Sequence, residues 1–275
     1  MPGKLKNFGK LLKNEIKMSA HTMMNIYLAA AVTIGIMLLA YAVDIGWLSA
    51  LATIALFLIA LIALVITFVG VIANFQKTLY GNQGYLSFTL PVTSGELLAA
   101  KAIVAFLWMI LSYAVSIGIM IWIYDYITSM IGENNIELIK TLISMFRDMP
   151  GSSAIKGYLV LLVLSVFIQL VFLISELFFS LTFANTRIMQ KLGAAGPIVV
   201  FFAIFIVTQI FNFVFTNYVP IIVSPGADGL VFSVGKQMSA GNLSFGITGV
   251  IFELLASVGL FFGTGWLMNH KINIK

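Results

Sequence analysis

The feature that most constrains this chain is a series of six apolar runs, each long enough to cross a lipid bilayer. A transmembrane helix needs about 20 consecutive, mostly apolar residues. Runs of this kind lie at 22–43, 47–75, 99–124, 157–184, 194–217 and 246–268. Hydrophobic residues make up 61% of the sequence, and charged residues only 9%. We therefore expect an all-α polytopic membrane protein whose 275 residues form a single transmembrane domain.

Lysine and arginine indicate which way the spans run, because these residues concentrate on the cytoplasmic side of short membrane loops. With the N-terminus inside, the cytoplasmic side receives Lys4, Lys6, Lys10, Lys13, Lys17, Lys77, Lys101, Arg187, Lys191, Lys271 and Lys275. The outer side keeps Lys140, Arg147, Lys156 and Lys236. We therefore expect both termini in the cytoplasm. The net charge of +5 then follows from topology, and no nucleic-acid partner is expected.

Residues 1–20 precede the first span and have an amphipathic pattern. Their apolar residues recur at spacings of three and four among the lysines: Leu5, Phe8, Leu12 and Ile16. This pattern predicts an elbow helix that lies in the inner membrane interface and contacts lipid. A solvated basic tail is the alternative.

Two longer segments fall on the outer, extracellular side. Residues 126–156 carry apolar residues at helical spacing, followed by a Pro-Gly pair. The pattern predicts a short surface helix, which either contacts substrate or only caps the bundle. Residues 218–245 contain two prolines and several glycines between short apolar pieces. This segment is too short to span twice, and a re-entrant element in the outer leaflet is one structure compatible with it.

The cytoplasmic loop at 79–98, between spans two and three, interrupts the apolar sequence with turn-forming residues. Thr93 and Glu96 fit a T-x-x-E capping box, which predicts the start of a helix that runs into span three. Pro91 disfavours helical geometry at the residue before it, so a break should precede this helix. The short aromatic stretch before the break either docks a soluble partner or folds back against the bilayer.

Two acids lie inside predicted spans, and ionisable groups there are costly and often functional. Counting from the outer ends of their spans places Glu176 about 28 Å deep and Glu253 about 10 Å deep. We therefore expect the two carboxylates to be too far apart to share a proton. Each is expected to be protonated or to bond to a nearby amide: Gln169, Gln209 or Asn212. Structural bonding between helices and contact with substrate remain equal alternatives for both acids.

Motifs for enzymatic chemistry are missing from the sequence. It contains no G-x-x-x-x-G-K-[ST] phosphate-binding loop, no H-E-x-x-H and no G-x-S-x-G. It has no cysteine and two histidines near opposite ends of the chain. We therefore expect neither catalysis, nor a metal site, nor a bound cofactor in this chain.

The stretch "LYGNQGYLSFTLPVTSGELLAAKAIVAFLW", residues 79–108, resembles the G-Y-L-x-x-T-L-P-x-S segment of bacterial ABC-2-type transporter permeases. Thr93 stands where that family often has serine. The likeness covers about thirty residues by motif. The basic N-terminal helix, the six spans, the cytoplasmic termini and the broken structure before the last span are also similar to that family.

The resemblance implies that the loop between spans two and three is a coupling helix that contacts a separate ATP-binding cassette subunit. The residues it places at this coupling site are Tyr85, Leu86, Phe88, Leu90 and Glu96. It also implies a second permease subunit, either a copy of this chain or a paralogue. ATP and Mg²⁺ would bind the partner ATPase. The expected function is export of a hydrophobic or amphipathic cargo, such as a peptide or antibiotic, across the bacterial cytoplasmic membrane.

Two other functions remain open at this point. The chain could be a membrane subunit for immunity, sensing or scaffolding that moves no substrate. It could also be a proton-coupled secondary carrier that uses Glu176 or Glu253. An ATPase partner would favour the exporter, whereas transport driven by a proton gradient without ATP would favour the carrier.

Overall fold

The structure is a computed structural model whose described residues are 2–43, 45–81, 84, 92–131, 152–187, 189, 191, 195–225, 229–235 and 244–270. Its helices are α1 (Pro2–Ala42), α2 (Gly46–Leu79), α3 (Ser94–Ile131), α4 (Ser152–Ala184), α5 (Gly196–Tyr218) and α6 (Thr248–His270). Each of these six helices is long and apolar enough to cross a membrane. The chain is therefore a mainly helical, multi-pass membrane protein, as its apolar runs predict.

The helices form two compact units. Unit 1 contains α1, α2 and α3, and all three helices contact one another. Unit 2 contains α4, α5, α6 and a small sheet, and α4 contacts both other helices of the unit. The predicted surface helix within 126–156 falls largely outside the described residues, since α3 ends at Ile131 and α4 begins at Ser152.

Helix α1 is continuous over 41 residues. The boundary predicted near residue 20, between an elbow helix and the first span, is absent between Pro2 and Ala42. The sequence explains this continuity, because no proline or glycine occurs from Lys10 to Ile34. The amphipathic segment and the first span are therefore one helix in the structure.

Small and branched side chains form the core of unit 1. Leu56 and Ala60 of α2 pack with Ile119 and Ile123 of α3. Ala60 is completely buried, and its small side chain permits the close approach of helices that membrane interfaces favour. Tyr41 of α1 closes this core, and its ring centroid lies 4.8 Å from that of Trp122.

Unit 2 has one close helix contact that depends on glycine. A Cβ atom on Gly263 of α6 would lie 2.9 Å from Cε2 of Phe179 of α4. Gly259, one turn earlier, has no neighbouring atom within 4 Å of such a Cβ. Only one glycine of this G-x-x-x-G pair therefore serves a helix contact within the described structure.

A three-stranded sheet joins α5 to α6, with strands β1 (Ile221–Pro225), β2 (Leu230–Val234) and β3 (Phe245–Gly246) in the order β2-β1-β3. Both neighbouring pairs are antiparallel. Thr248, the first residue of α6, fixes the sheet to the helix, because its Oγ1 accepts from the Ile221 N–H at 2.9 Å. The segment at 218–245 thus contains strands, where the sequence suggested a re-entrant element.

Candidate functional site

The start of α3 is fixed by the capping box that the sequence predicts. The Thr93 N–H donates to Glu96 Oε2 at 2.9 Å, and the Glu96 N–H donates to Thr93 Oγ1 at 3.3 Å. These two bonds satisfy backbone donors that a helix N-terminus otherwise leaves free. Helix α3 begins at the next residue, Ser94, as predicted. The loop before it therefore ends at a defined point on the third helix.

A buried ion pair holds the same region two turns further along α3. The Lys101 ammonium lies 2.8 Å from Oε1 and 2.9 Å from Oε2 of Glu15, and it donates to Thr78 Oγ1 at 2.8 Å. Lys101 is 4% exposed and Glu15 is 3% exposed. Because Glu15 belongs to α1 and Thr78 to the end of α2, one ammonium group ties together all three helices of unit 1 beside the loop.

The buried face of α1 differs from the apolar stripe that the sequence suggests. Leu11, Glu15, Ser19 and Met23 are buried at regular spacings of four residues. Ile16, a member of the predicted stripe, is 37% exposed. The protein-facing side of α1 is therefore one position away from the predicted stripe, and it carries a charge that α3 neutralises.

Further hydrogen bonds continue along the interface of α1, α2 and α3. The Trp108 indole N–H donates to Ser19 Oγ at 2.9 Å. The Tyr27 hydroxyl donates to the Trp108 carbonyl at 3.1 Å, and Thr67 Oγ1 donates to Ser112 Oγ at 3.2 Å. Unit 1 is therefore joined by polar bonds from the loop end well into its apolar region. Such bonds specify helix pairing where apolar contacts alone discriminate little.

Unit 2 contains the two acids that the sequence singles out. Glu176 of α4 is 1% exposed, and its Oε1 accepts from Thr208 Oγ1 of α5 at 2.9 Å. Glu253 of α6 is 9% exposed, and its Oε1 accepts from Asn212 Nδ2 of α5 at 3.3 Å. The predicted amide partner Asn212 is thus confirmed for Glu253. Thr208, the partner of Glu176, was not predicted.

The large depth difference expected between the two acids is wrong. Their partners on α5 are four residues apart, so the two bonds lie about one turn, or about 6 Å, apart along that helix. Counting failed because it assumed that α4 and α6 begin at the same level, whereas α4 has 33 residues and α6 has only 23. The first turns of α4 pack against the sheet, where Gly157 contacts Leu230.

Other predicted site residues stand apart from this cluster or outside the described residues. Gln169 and Gln209 are exposed on α4 and α5. Glu96 serves the capping box and is partly exposed. The remaining residues of the predicted coupling site lie outside the described residues: Tyr85, Leu86, Phe88 and Leu90.

The ion pair between Glu15 and Lys101 was missed, although the sequence carries a signal for it. Glu15 is the single acid among the first twenty residues, and Lys101 is the single charge in the apolar run 99–124. Lone charges of opposite sign at the same end of neighbouring spans are candidates for pairing.

Among the described residues, no three His, Cys, Asp or Glu side chains are grouped to hold a metal ion.

Comparisons with known proteins do not assign this chain to a family. No family model, no curated protein and no solved structure matches the chain.

Proposed function

We propose that this protein is a permease subunit of an ATP-driven exporter and that the loop at 79–93 couples it to a separate ATPase. The observation that carries the proposal is the mounting of this loop, whose flanking residues on both sides are held by hydrogen bonds. On its far side, Thr93 and Glu96 close a capping box. Next to it, the buried Lys101 ammonium bonds to both α1 and the end of α2.

This mounting suits a mechanical role for the loop. A loop that only turns between spans needs no buried ion pair, which has a large desolvation cost. Here a force applied at the loop would reach α3 through its capped first turn and α1 through Glu15. The sequence resemblance to ABC-2-type permeases supports the same role for this loop.

The rest of the assembly follows from this proposal. The chain itself supplies the membrane pathway, while the partner ATPase binds ATP and Mg²⁺ and hydrolyses the nucleotide. A second permease subunit, a copy or a paralogue, completes the pathway. The location is the bacterial cytoplasmic membrane, with both termini inside. The cargo is a hydrophobic or amphipathic molecule, such as a peptide or antibiotic.

The first experiment tests ATPase docking. The intact chain is purified in mild detergent from its native membrane, and co-purifying proteins are identified by mass spectrometry. An ATP-binding cassette subunit is expected in the wild-type sample. Changing Tyr85 and Phe88 together to alanine should weaken its retention, because aromatic anchors contribute about 2 kcal/mol or more, or about 30-fold in affinity.

A second pair of variants separates docking from coupling. Glu15→Leu with Lys101→Met removes both charges of the buried pair, a change that is often tolerated for stability. This variant should retain the ATPase but lose ATP-driven transport, since the loop is no longer tied to α1. Lys77→Met, which removes an exposed lysine nearby, is the matched control. Transport that runs on a proton gradient without ATP would favour the carrier instead, and the absence of any ATPase would contradict the proposal.

A further inference from the structure

The two buried acids of unit 2 lie on different helices, but both contact the same face of α5. Thr208 and Asn212, four residues apart on α5, point to Glu176 of α4 and Glu253 of α6 respectively. Each carboxylate therefore bonds to a neutral side chain, one turn from the other. Neutral partners satisfy hydrogen bonds but leave the carboxylate charge without compensation.

No basic side chain of the described helices compensates these acids. The titratable side chains of α4, α5 and α6 are Lys156, Tyr158, Glu176, Tyr218, Glu253 and His270. The cation nearest to Glu176 in sequence, Arg187, is exposed and lies beyond the end of α4. Lys156 lies next to Gly157, where α4 packs against β2, and His270 is at the opposite end of α6. Among the described residues, the one ion pair belongs to unit 1. A bare carboxylate in an apolar interior is strongly unfavourable, so each acid requires a bound positive charge.

Glu253 has an oxygen that is still available for this charge. Its Oε2 is buried and has no hydrogen-bond partner among the described residues, while Oε1 accepts from Asn212. Asn212 also brings an oxygen to this contact, since its Nδ2 donates to Glu253 while its Oδ1 accepts from Thr216 Oγ1 at 3.3 Å. Carboxylate, amide and hydroxyl oxygens are ligands that bind hard cations.

Gly249 makes this arrangement possible. A Cβ atom on Gly249, one turn before Glu253 on α6, would lie 2.9 Å from Asn212 Oδ1 and 3.5 Å from Thr216 Oγ1. The missing side chain lets the oxygen-bearing face of α5 approach the backbone of α6. Gly249, Glu253, Asn212 and Thr216 therefore form one oxygen-lined contact between two helices.

We propose that this contact is a binding site for one positive charge, a proton or a sodium ion, with Glu253 as the carboxylate ligand. A single carboxylate surrounded by neutral oxygens balances one positive charge. A monovalent ion therefore matches the site better than a divalent ion. Glu176 with Thr208 provides a second carboxylate one turn away along α5. All four residues of the site belong to unit 2, whereas the capping box and the ion pair beside the loop at 79–93 belong to unit 1.

The test uses the whole purified protein in lipid nanodiscs and a hydrophobic carbodiimide. This reagent adds to a protonated carboxyl group in an apolar site and leaves a stable acylurea, which peptide mass spectrometry can localise. Labelling of Glu253 should increase as the pH is lowered. The same reaction is run with sodium chloride replaced by choline chloride at constant ionic strength.

The two ligands give different results in this assay. Protection of Glu253 by sodium, but not by choline, identifies a sodium site, and labelling that follows pH alone identifies a proton site. Asn212→Ala should weaken sodium protection about 10-fold, since removing a group that orients a ligand has effects of this size. Asn217→Ala is the matched control, because Asn217 bonds only to its own helix at the Phe213 carbonyl.

Three results would overturn the proposal. Glu253 could remain unlabelled at every pH and without sodium, or it could be labelled equally at every pH and in both salts, as expected of a permanently protonated structural group. Stronger protection by Mg²⁺ than by sodium would contradict the single-charge argument. These readouts use the wild-type protein, so they do not depend on whether Glu253→Gln folds.

Discussion

The Lys101 ammonium contacts both carboxylate oxygens of Glu15, at 2.8 Å and 2.9 Å, although 86 positions separate the two residues in the sequence. Both are almost completely buried. A buried pair of this kind makes the folded state depend on both partners together, because either charge alone would be left in an apolar setting.

The first prediction concerns this pair. Lys101→Met alone or Glu15→Gln alone should destabilise the protein by about 3–5 kcal/mol, because one buried charge loses its partner. Changing both residues to apolar ones should cost much less than the sum of the single changes. Thermal unfolding in detergent measures the effect, with Lys77→Met as the exposed control. Additive losses in the double variant would show that the two charges do not interact.

The second prediction concerns the capping box. Thr93→Ala should destabilise the first turn of α3 by about 1 kcal/mol, since an N-terminal backbone donor loses its acceptor. Thr93→Ser keeps the hydroxyl and should have little effect. Hydrogen exchange at the amide of Glu96 reports the change directly. Equal exchange in both variants would argue against the bond to Thr93 Oγ1.

The third prediction separates the two glycines of α6. Gly263→Ala should lower the thermal stability, because the new Cβ would lie 2.9 Å from the Phe179 ring. Gly259→Ala meets no atom within 4 Å and should be neutral, or stabilising by up to about 1 kcal/mol through helix propensity. A scan of unfolding temperature for both variants decides between them. The opposite ranking would contradict the packing at Gly263.

The fourth prediction concerns membrane orientation, and the lack of native cysteine makes it simple to test. Single cysteines at Gly46 and Asn217 should react with an impermeant thiol reagent on intact cells. Cysteines at Gly95 and His270 should react only after the membrane is opened. All four positions are exposed in the structure, so burial cannot hide them. Labelling of Gly95→Cys on intact cells would reverse the orientation.

Local signals in the sequence predicted local structure well. The capping box at Thr93 and Glu96 was predictable because both residues lie within one turn and act through their own backbone. The long apolar runs predicted six spans because length and composition decide whether a helix suits lipid. The strands at Ile221–Pro225 and Leu230–Val234 were missed, although short apolar pieces around a Pro- and Gly-containing turn are typical of a hairpin.

Relationships between distant residues were predicted less well. The positions of Glu15 and Lys101 in the sequence do not show that α1 and α3 pack together with these two side chains at the same height. The depths of Glu176 and Glu253 were misjudged because a residue count gives distance along one helix, whereas the level at which each helix begins depends on packing. Asn212 could be named as a partner because few amides occur in the spans, but only the structure shows which acid it contacts.

The continuity of α1 has a mechanical consequence. At 1.5 Å per residue, its 41 residues measure about 60 Å, and Glu15 divides them into arms of about 20 Å and about 40 Å. The ion pair at Glu15 and the packing of Tyr41 against Trp122 hold this helix near both of its ends. Because no break lies between them, a displacement of the cationic end would be passed along the helix to the far side of the membrane, with no joint to absorb it.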